Sequence, residues 1–335
     1  MSKQKLIDTE DLSQKLRSKA IDLEGKSISI TNYFNSDQEK DISDSPNCEG
    51  FGRVRNFKLS RGGIWPINPL PILPAAKALG TKHGQKIRAQ VFQNSICNWR
   101  CWYCFVDFKL LAGSKKHSEF KTCEELLNLY LKEPNRPLMI DMSGGQPDLT
   151  PEWVPWMMEA LIQKGLEKEI FLWSDDNLSN DYFWKYLSKK DLELIQSYEM
   201  YARVCCFKGI DETSFSLNTN AAPELFQEQL NLAKRIMKLD IDLYFYITLT
   251  APTSTDFHAS ILHLMDQLQE IHDNLPLRVI PLEIFEFTPV KSRMDDIKKD
   301  LIQGQYKAVE VWSNELKKRF SRDLINSPIT EIRIN

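Results

Sequence analysis

The sequence predicts an α/β protein built on a parallel sheet of about six β/α units. Two observations carry this. Between residues 86 and 290, apolar segments of strand length alternate with amphipathic segments of helix length about six times. The strand-like segments are nearly continuously apolar, as strands covered on both faces are. Strand–helix alternation implies right-handed crossovers between parallel neighbours. Six units are too few for an eight-fold closed barrel, so an open or partial barrel, or a doubly wound sheet, fits the count. In either case the functional site belongs at the C-terminal ends of the strands.

The elements follow in order. "KIRAQVFQ" (86–93) reads as a strand and runs into the cysteine-rich loop "SICNWRCWYCFVDF" (95–108). "SEFKTCEELLNLYLKE" (118–133) has helical periodicity, and "PLMIDMSG" (137–144) is a strand. "TPEWVPWMMEALIQKG" (150–165) is a helix, with Thr150 as its N-cap, Pro151 at the first helical position and Glu152 in the first turn. "EIFLWSD" is a strand, followed by helical "DYFWKYLS" and "DLELIQSYE". The pattern repeats with strand "MYARVCCFK" and helix "APELFQEQLNLAKRIMKL", then strand "DLYFYITLTA" and helix "DFHASILHLMDQLQEIHDNL". "LRVIPLEIFEF" is the last strand of the series. This core, 86–290, is preceded by an N-terminal extension, 1–85, and followed by a tail, 291–335, holding the helix "YKAVEVWSNELKKRF" and a strand "TEIRIN".

The extension divides in two. Residues 1–49 hold a short helix and a polar loop around "NSDQEKDISDSPN". Residues 50–106 contain no Asp or Glu but nine Lys or Arg, and the Pro-rich "WPINPLPILPAAKALG" is expected to run irregular or extended. This basic block reads either as an anion-binding patch, for a nucleotide or RNA, or as a solvated face offset by acids elsewhere.

The 335 residues are 42% hydrophobic and 27% charged, with a net charge of −3, so the chain as a whole is no polybasic nucleic-acid binder. No apolar run approaches the ~18 residues of a membrane span, and the N-terminus lacks the apolar core of a signal peptide. A cytoplasmic location is expected. Seven cysteines, three of them clustered, do not form a secreted disulfide framework; in a reducing compartment such spacing serves metal binding or redox chemistry.

The cluster is Cys97-x3-Cys101-x2-Cys104, directly after the first regular strand. Structural zinc and ordinary cubane clusters take four protein ligands. Three thiolates on one loop hold three irons of a [4Fe–4S] cluster and leave the fourth open. The rival is a four-ligand zinc site completed by His117, Cys123, Cys205 or Cys206. The second motif, "MSGGQPDLTPEW", follows the next strand, and its Gly144 and Gly145 let backbone approach a ligand closely.

Together, the cysteine triplet, Tyr103 just before its last member, and the Gly-Gly turn one strand later resemble the radical S-adenosylmethionine (radical SAM) superfamily over about residues 86–290. The resemblance implies a partial, open parallel barrel. It implies a [4Fe–4S] cluster on Cys97, Cys101 and Cys104, with S-adenosylmethionine on the open iron and its amine at the turn of Gly144, Gly145 and Gln146. Gln146 departs from the family's Glu. The order of features is similar to the glycyl-radical-enzyme activases, which implies Asp175, Asp176 and Asn177 at the ribose or methionyl end of the cofactor and Lys208 at its carboxylate. The activity implied is that of an oxidoreductase. An external flavodoxin- or ferredoxin-type reductant supplies one electron, S-adenosylmethionine is cleaved to a 5′-deoxyadenosyl radical, and that radical takes hydrogen from a substrate. The substrate is a protein by the likeness to activases, or an anionic, nucleotide-like molecule by the basic block. A non-catalytic zinc-binding or interaction protein using the same cysteines is the alternative.

Other residues have plainer readings. Asp175–Asn177 also suit helix capping. Cys205 and Cys206 read as small core residues, and Cys48 and Cys123 are isolated. His83, His117, His258, His263 and His272 form no ligand-spaced pair. Trp153, Trp156, Met157 and Met158 read as helix packing, and Trp99 and Trp102 as a shield for the cysteines. The Thr-rich end of the fifth strand, Thr248 to Thr255, faces the cofactor if it is functional.

Overall fold

The computed structural model describes residues 5–34, 36, 39, 45–59, 64–82 and 84–334; His83 and part of the polar loop lie outside them. In chain order the strands are β1 (Ile21–Asp22), β2 (Ser27–Thr31), β3 (Gly52–Lys58), β4 (Lys86–Gln93), β5 (Ser118–Thr122), β6 (Met139–Ser143), β7 (Phe171–Asp176), β8 (Tyr201–Phe207), β9 (Asp242–Thr248) and β10 (Val279–Leu282). The helices are α1 (Thr9–Ala20), α2 (Ile72–Ala78), α3 (Cys123–Lys132), α4 (Trp153–Gln163), α5 (Tyr182–Tyr186), α6 (Lys189–Ser197), α7 (Glu212–Thr219), α8 (Leu225–Ile236), α9 (Phe257–Ile271), α10 (Thr288–Lys291), α11 (Asp296–Arg319) and α12 (Arg322–Asn326).

Seven strands form one sheet in the order β10-β9-β8-β7-β6-β4-β3. Every neighbouring pair is parallel except β3–β4. Six parallel strands joined by helical crossovers make the open half-barrel the sequence predicts. The outward strand faces carry Ile140, Leu172, Phe207 and Phe245, packed with Leu126, Met157, Leu230 and Ile261 in one buried core. Each such side chain contributes about 1.5–3 kcal/mol when fully buried. Among the described residues no helix is long and apolar enough to cross a membrane.

Several local expectations need correcting. Within the basic block, 52–58 form β3, an antiparallel edge strand whose alternating Arg53 and Arg55 point to one face. The Pro-rich stretch holds α2, with its prolines tolerated near the helix start. It also crosses from the β3 edge of the sheet to the β9–β10 edge. The Trp65 indole donates to the Pro281 carbonyl at 3.0 Å, and the Asn68 amide to the Tyr246 hydroxyl at 3.3 Å. The sheet is therefore curled, and its open side is spanned by the segment that precedes the core.

Residues 118–122 are strand rather than helix. They pair with β2 in a small antiparallel sheet, and Thr122 caps α3 in a capping box with Glu125. Thr150 is not an N-cap: its hydroxyl accepts from the Asn94 amide at 3.0 Å, and α4 starts three residues later. The last strand stops at Leu282, and "TEIRIN" makes a 3-10 turn at Ile329–Glu331 instead of a strand.

Candidate functional site

The loops after β4, β6, β7, β8 and β9 leave the same edge of the sheet, which brings the two sequence motifs together. The cysteine loop is held on all sides by side chains distant in sequence. From α1, Thr9 accepts from the Trp99 indole at 3.3 Å and Ser13 accepts from the Asn98 amide at 2.9 Å. From α7, Asn218 accepts from the Trp102 indole at 3.1 Å. The Arg293 guanidinium donates to the carbonyls of Cys104 at 2.7 Å and Val106 at 3.0 Å. The Tyr103 hydroxyl meets Thr248 at 3.2 Å, tying the loop to the end of β9.

The three thiols are electrostatic neighbours. Burial first, then mutual repulsion, raises Cys104, and burial pushes Cys101 up to about 12. Lys208, at the end of β8, opposes both shifts. Its ammonium group stands among Cys206, Tyr103 and Cys101; burial works against its charge, and those three groups more than offset that. Lys208 thus reaches the cysteine loop.

Among the described residues no three of His, Cys, Asp and Glu converge on one point as ligands of a single metal ion. Of the fourth ligands a zinc site would need, Cys123 and Cys205 are elsewhere. Cys123 lies under α4 against the Trp153 carbonyl, and Cys205 points outward to Asp176. Cys206 faces the inside of the barrel, in register with Tyr246, so the two adjacent cysteines occupy opposite environments.

The Gly-Gly turn is fastened to the cysteine loop. The Gln146 backbone N–H donates to the Ile96 carbonyl at 2.7 Å. Gly145 has φ +61°, and a Cβ there would lie 2.2 Å from that same carbonyl oxygen. Gly144, at φ +72°, would press on the Gln93 side chain. The glycines are demanded by the protein's own close approach between the two motifs.

Gln146 is fully buried and bridges to the acidic turn. Its amide donates to Asp176 at 2.7 Å, and its carbonyl accepts from the Asn177 backbone N–H at 2.9 Å. Asp176 also pairs with Arg203 at 3.0 Å, and Arg203 pairs in turn with Asp148. A carboxylate at position 146 would face Asp176 directly, so Gln is the side chain this setting requires. The three residues of the acidic turn separate in role. Asp176 accepts from the Leu178 N–H and belongs to the buried charge triad, while Asp175 faces into the barrel, where the Trp173 indole donates to it at 3.2 Å. Asn177 sits against Cys97, with its amide 3.8 Å from the sulfur, and its Oδ1 is buried without a partner. None of the three caps α5, which begins beyond them at Tyr182.

Gln229 is a site residue the sequence reading missed. Its amide group donates to the carbonyls of Asn177 at 2.8 Å and Cys206 at 3.1 Å, and its carbonyl accepts from the Lys208 N–H at 3.1 Å. It clamps the ends of β7 and β8 from within α8. Nothing at its position marks it, because its partners lie 21 to 52 residues away.

The basic block disperses in space. The Arg100 guanidinium donates to the carbonyls of Cys97 and Trp99, Arg88 reaches the Asn135 carbonyl, and Lys77 reaches the Thr330 carbonyl. Arg53 and Arg55 turn toward the cysteine loop, each guanidinium 5.7 Å from the ring of Phe105, the residue after Cys104.

No family model matches the chain, and no curated protein matches it. Among solved structures, Streptococcus suis SuiB bound to the precursor peptide SuiA is similar with a TM-score of 0.41 and 17% identity, covering 67% of this chain and 46% of that one. The same protein bound to S-adenosylmethionine gives a TM-score of 0.43 and 16% identity, covering 69% and 48%. Native anSMEcpe with bound AdoMet gives 0.37 and 16%, covering 56% and 49%. The chain spans about half the length of these structures.

Proposed function

We propose that the chain is a radical SAM enzyme with one [4Fe–4S] cluster on Cys97, Cys101 and Cys104. The observation that carries the reading is the junction of the two motifs: the cysteine loop and the Gly-Gly-Gln turn, bonded through the Ile96 carbonyl at the C-terminal edge of a parallel half-barrel. The donor set fits the cluster. Three free thiols share one loop, the donor set that three irons of such a cluster take. The orphaned Asn177 Oδ1 beside Cys97 offers an acceptor to a bound cofactor.

The cluster and S-adenosylmethionine, when bound, supply a 5′-deoxyadenosyl radical that takes a hydrogen atom from the substrate. The chain's residues bind and orient. Lys208 places a positive charge beside Cys101, favouring its thiolate form, which metal binding requires. Gly144, Gly145 and Gln146 fix the turn against the cysteine loop, and Tyr103 with Thr248 fixes the loop's far end. Asn177 presents an acceptor to the cofactor's polar end, and Trp99 and Trp102, both buried, keep water from the loop. The reading requires an external one-electron reductant of the flavodoxin or ferredoxin type.

Anaerobic purification tests it. A brown protein with about four irons per chain, cleaving S-adenosylmethionine to 5′-deoxyadenosine on reduction, is the expected result. Cys101→Ala should lose both properties. A colourless protein holding stoichiometric zinc after anaerobic reconstitution overturns the proposal.

A further inference from the structure

The inward face of the half-barrel carries charges that the cofactor reading does not use. Arg53 on β3, Val91 on β4, Asp141 on β6 and Trp173 on β7 share one row across the sheet, and Asp175 stands two residues above Trp173 on the same face. Arg53 is 8% exposed and Asp141 1%. Both keep a buried polar atom without a partner, Arg53 Nε and Asp141 Oδ1. Arg53, Arg55 and Asp175 act electrostatically on Asp141, yet among the described residues neither arginine is in ion-pair contact with any carboxylate. On the far side Tyr246, held by Asn68, faces the same space and senses both Arg55 and Asp175.

Two arginines and two aspartates on one inward face, with no ion pair between them among the described residues, are an unusual arrangement to leave unbridged. Desolvated charges of opposite sign gain by closing on each other, and here the strand register holds them apart. A bare anion would satisfy the arginines but further oppose ionisation of the aspartates, which burial and their mutual repulsion already resist, and a bare cation would do the reverse. A ligand with both charges, separated, satisfies all four groups and the two orphaned atoms.

We propose that this inward face is the substrate seat and takes an amino acid, with its ammonium group between Asp141 and Asp175 and its carboxylate on Arg53 and Arg55. This rests on the radical SAM reading for the identification of the ligand as substrate. It replaces the anionic, nucleotide-like substrate that the basic block suggests, because the two arginines of that block nearest the site are offset by the two aspartates opposite.

The test is calorimetric binding to the cluster-loaded protein, with Trp173 fluorescence as a second reporter, since its indole donates to Asp175. The probes are the twenty standard L-amino acids, their decarboxylated amines, their deaminated acids, and AMP. At least one amino acid is expected to bind, and its amine and acid counterparts roughly tenfold or more weakly. Asp141→Asn, Asp175→Asn and Arg53→Gln should each weaken that amino acid roughly ten- to hundredfold, as loss of a hydrogen bond to a charged group does. Binding of S-adenosylmethionine should not change in Arg53→Gln or Asp141→Asn. Asp175→Asn, at the more open position, keeps the test available if burial makes the other variants misfold. Binding of AMP in place of amino acids, absence of binding by every amino acid, or unchanged affinity in the folded variants overturns the proposal. Cleavage of S-adenosylmethionine without added substrate reports separately on the radical SAM reading, so either can fail alone.

Discussion

Replacing Gln146 by Glu tests whether the Gly-Gly turn is matched to this chain's own acidic turn. The wild-type amide donates to Asp176 at 2.7 Å, inside a site where Gln146 is fully buried and Asp176 6% exposed. A charge-assisted bond of this kind contributes about 1.5–3 kcal/mol. Gln146→Glu removes the donor and sets a second carboxylate against the first. Two such charges at about 3 Å repel by roughly 5–6 kcal/mol at an effective dielectric of about 20. Protonating the new carboxyl limits that cost, and Arg203, 3.0 Å from Asp176, absorbs part of it. A net loss of about 2–4 kcal/mol at pH ~8 follows. The sign of the pH dependence is fixed. The introduced carboxyl has a folded-state pKa above its unfolded value of about 4.3, so it is tolerated below that value, where its O–H replaces the lost donor. Stability falls as pH rises through the raised pKa. Urea denaturation of variant and wild type at pH ~5 and ~8 measures the difference. A variant as stable as wild type at the higher pH, or a deficit independent of pH, refutes the bridging role of Gln146.

Three further predictions concern the same framework. Gly145→Ala should cost about 3 kcal/mol or more, since left-handed strain of about 1–2 kcal/mol adds to a Cβ 2.2 Å from the Ile96 oxygen. Gly165→Ala, at φ +67° with nothing within 4 Å, should cost the strain alone. Equal melting losses for the two would show that the turn does not press on the cysteine loop. Arg203→Met strands Asp148 and Asp176 without their cation and should destabilise by about 3–5 kcal/mol. Adding Asp148→Asn should recover part of this, and strict additivity in the double-mutant cycle would count against the triad. Burial first, then Asp175, pushes Asp141 up to about 8 from 3.8. Its contribution to stability is therefore full below about pH 3.8 and lost as pH rises toward 8. Asp141→Asn should flatten that part of the stability–pH curve, and an unchanged slope would refute the assignment.

Much of the core was legible because it depends on local pattern. The apolar runs that became β6 to β9 and the helices between them follow from periodicity. The elements that escaped are those whose pattern depends on a partner. "RVRNFK" looks basic and unstructured until β4 supplies its other edge, and "SEFKT" merges with the following helix until β2 pairs with it. Thr150 has the chemistry of an N-cap, but Asn94, brought beside it by the sheet, takes its hydroxyl.

The sequence by itself determined the parallel α/β class, the position of the cysteine triplet after the first core strand, and the Gly-Gly turn one strand on, because spacing and residue type along the chain express these directly. Only the tertiary structure decided that Gln146 answers to Asp176, that Cys205 and Cys206 face opposite sides of β8, and that Gln229 clamps the ends of β7 and β8. It alone decided that Arg53, Arg55, Asp141 and Asp175 share the inward face of the half-barrel. Charge and hydrogen-bond complementarity act over a few ångströms in space, and the curled sheet makes neighbours of strands that are far apart in sequence.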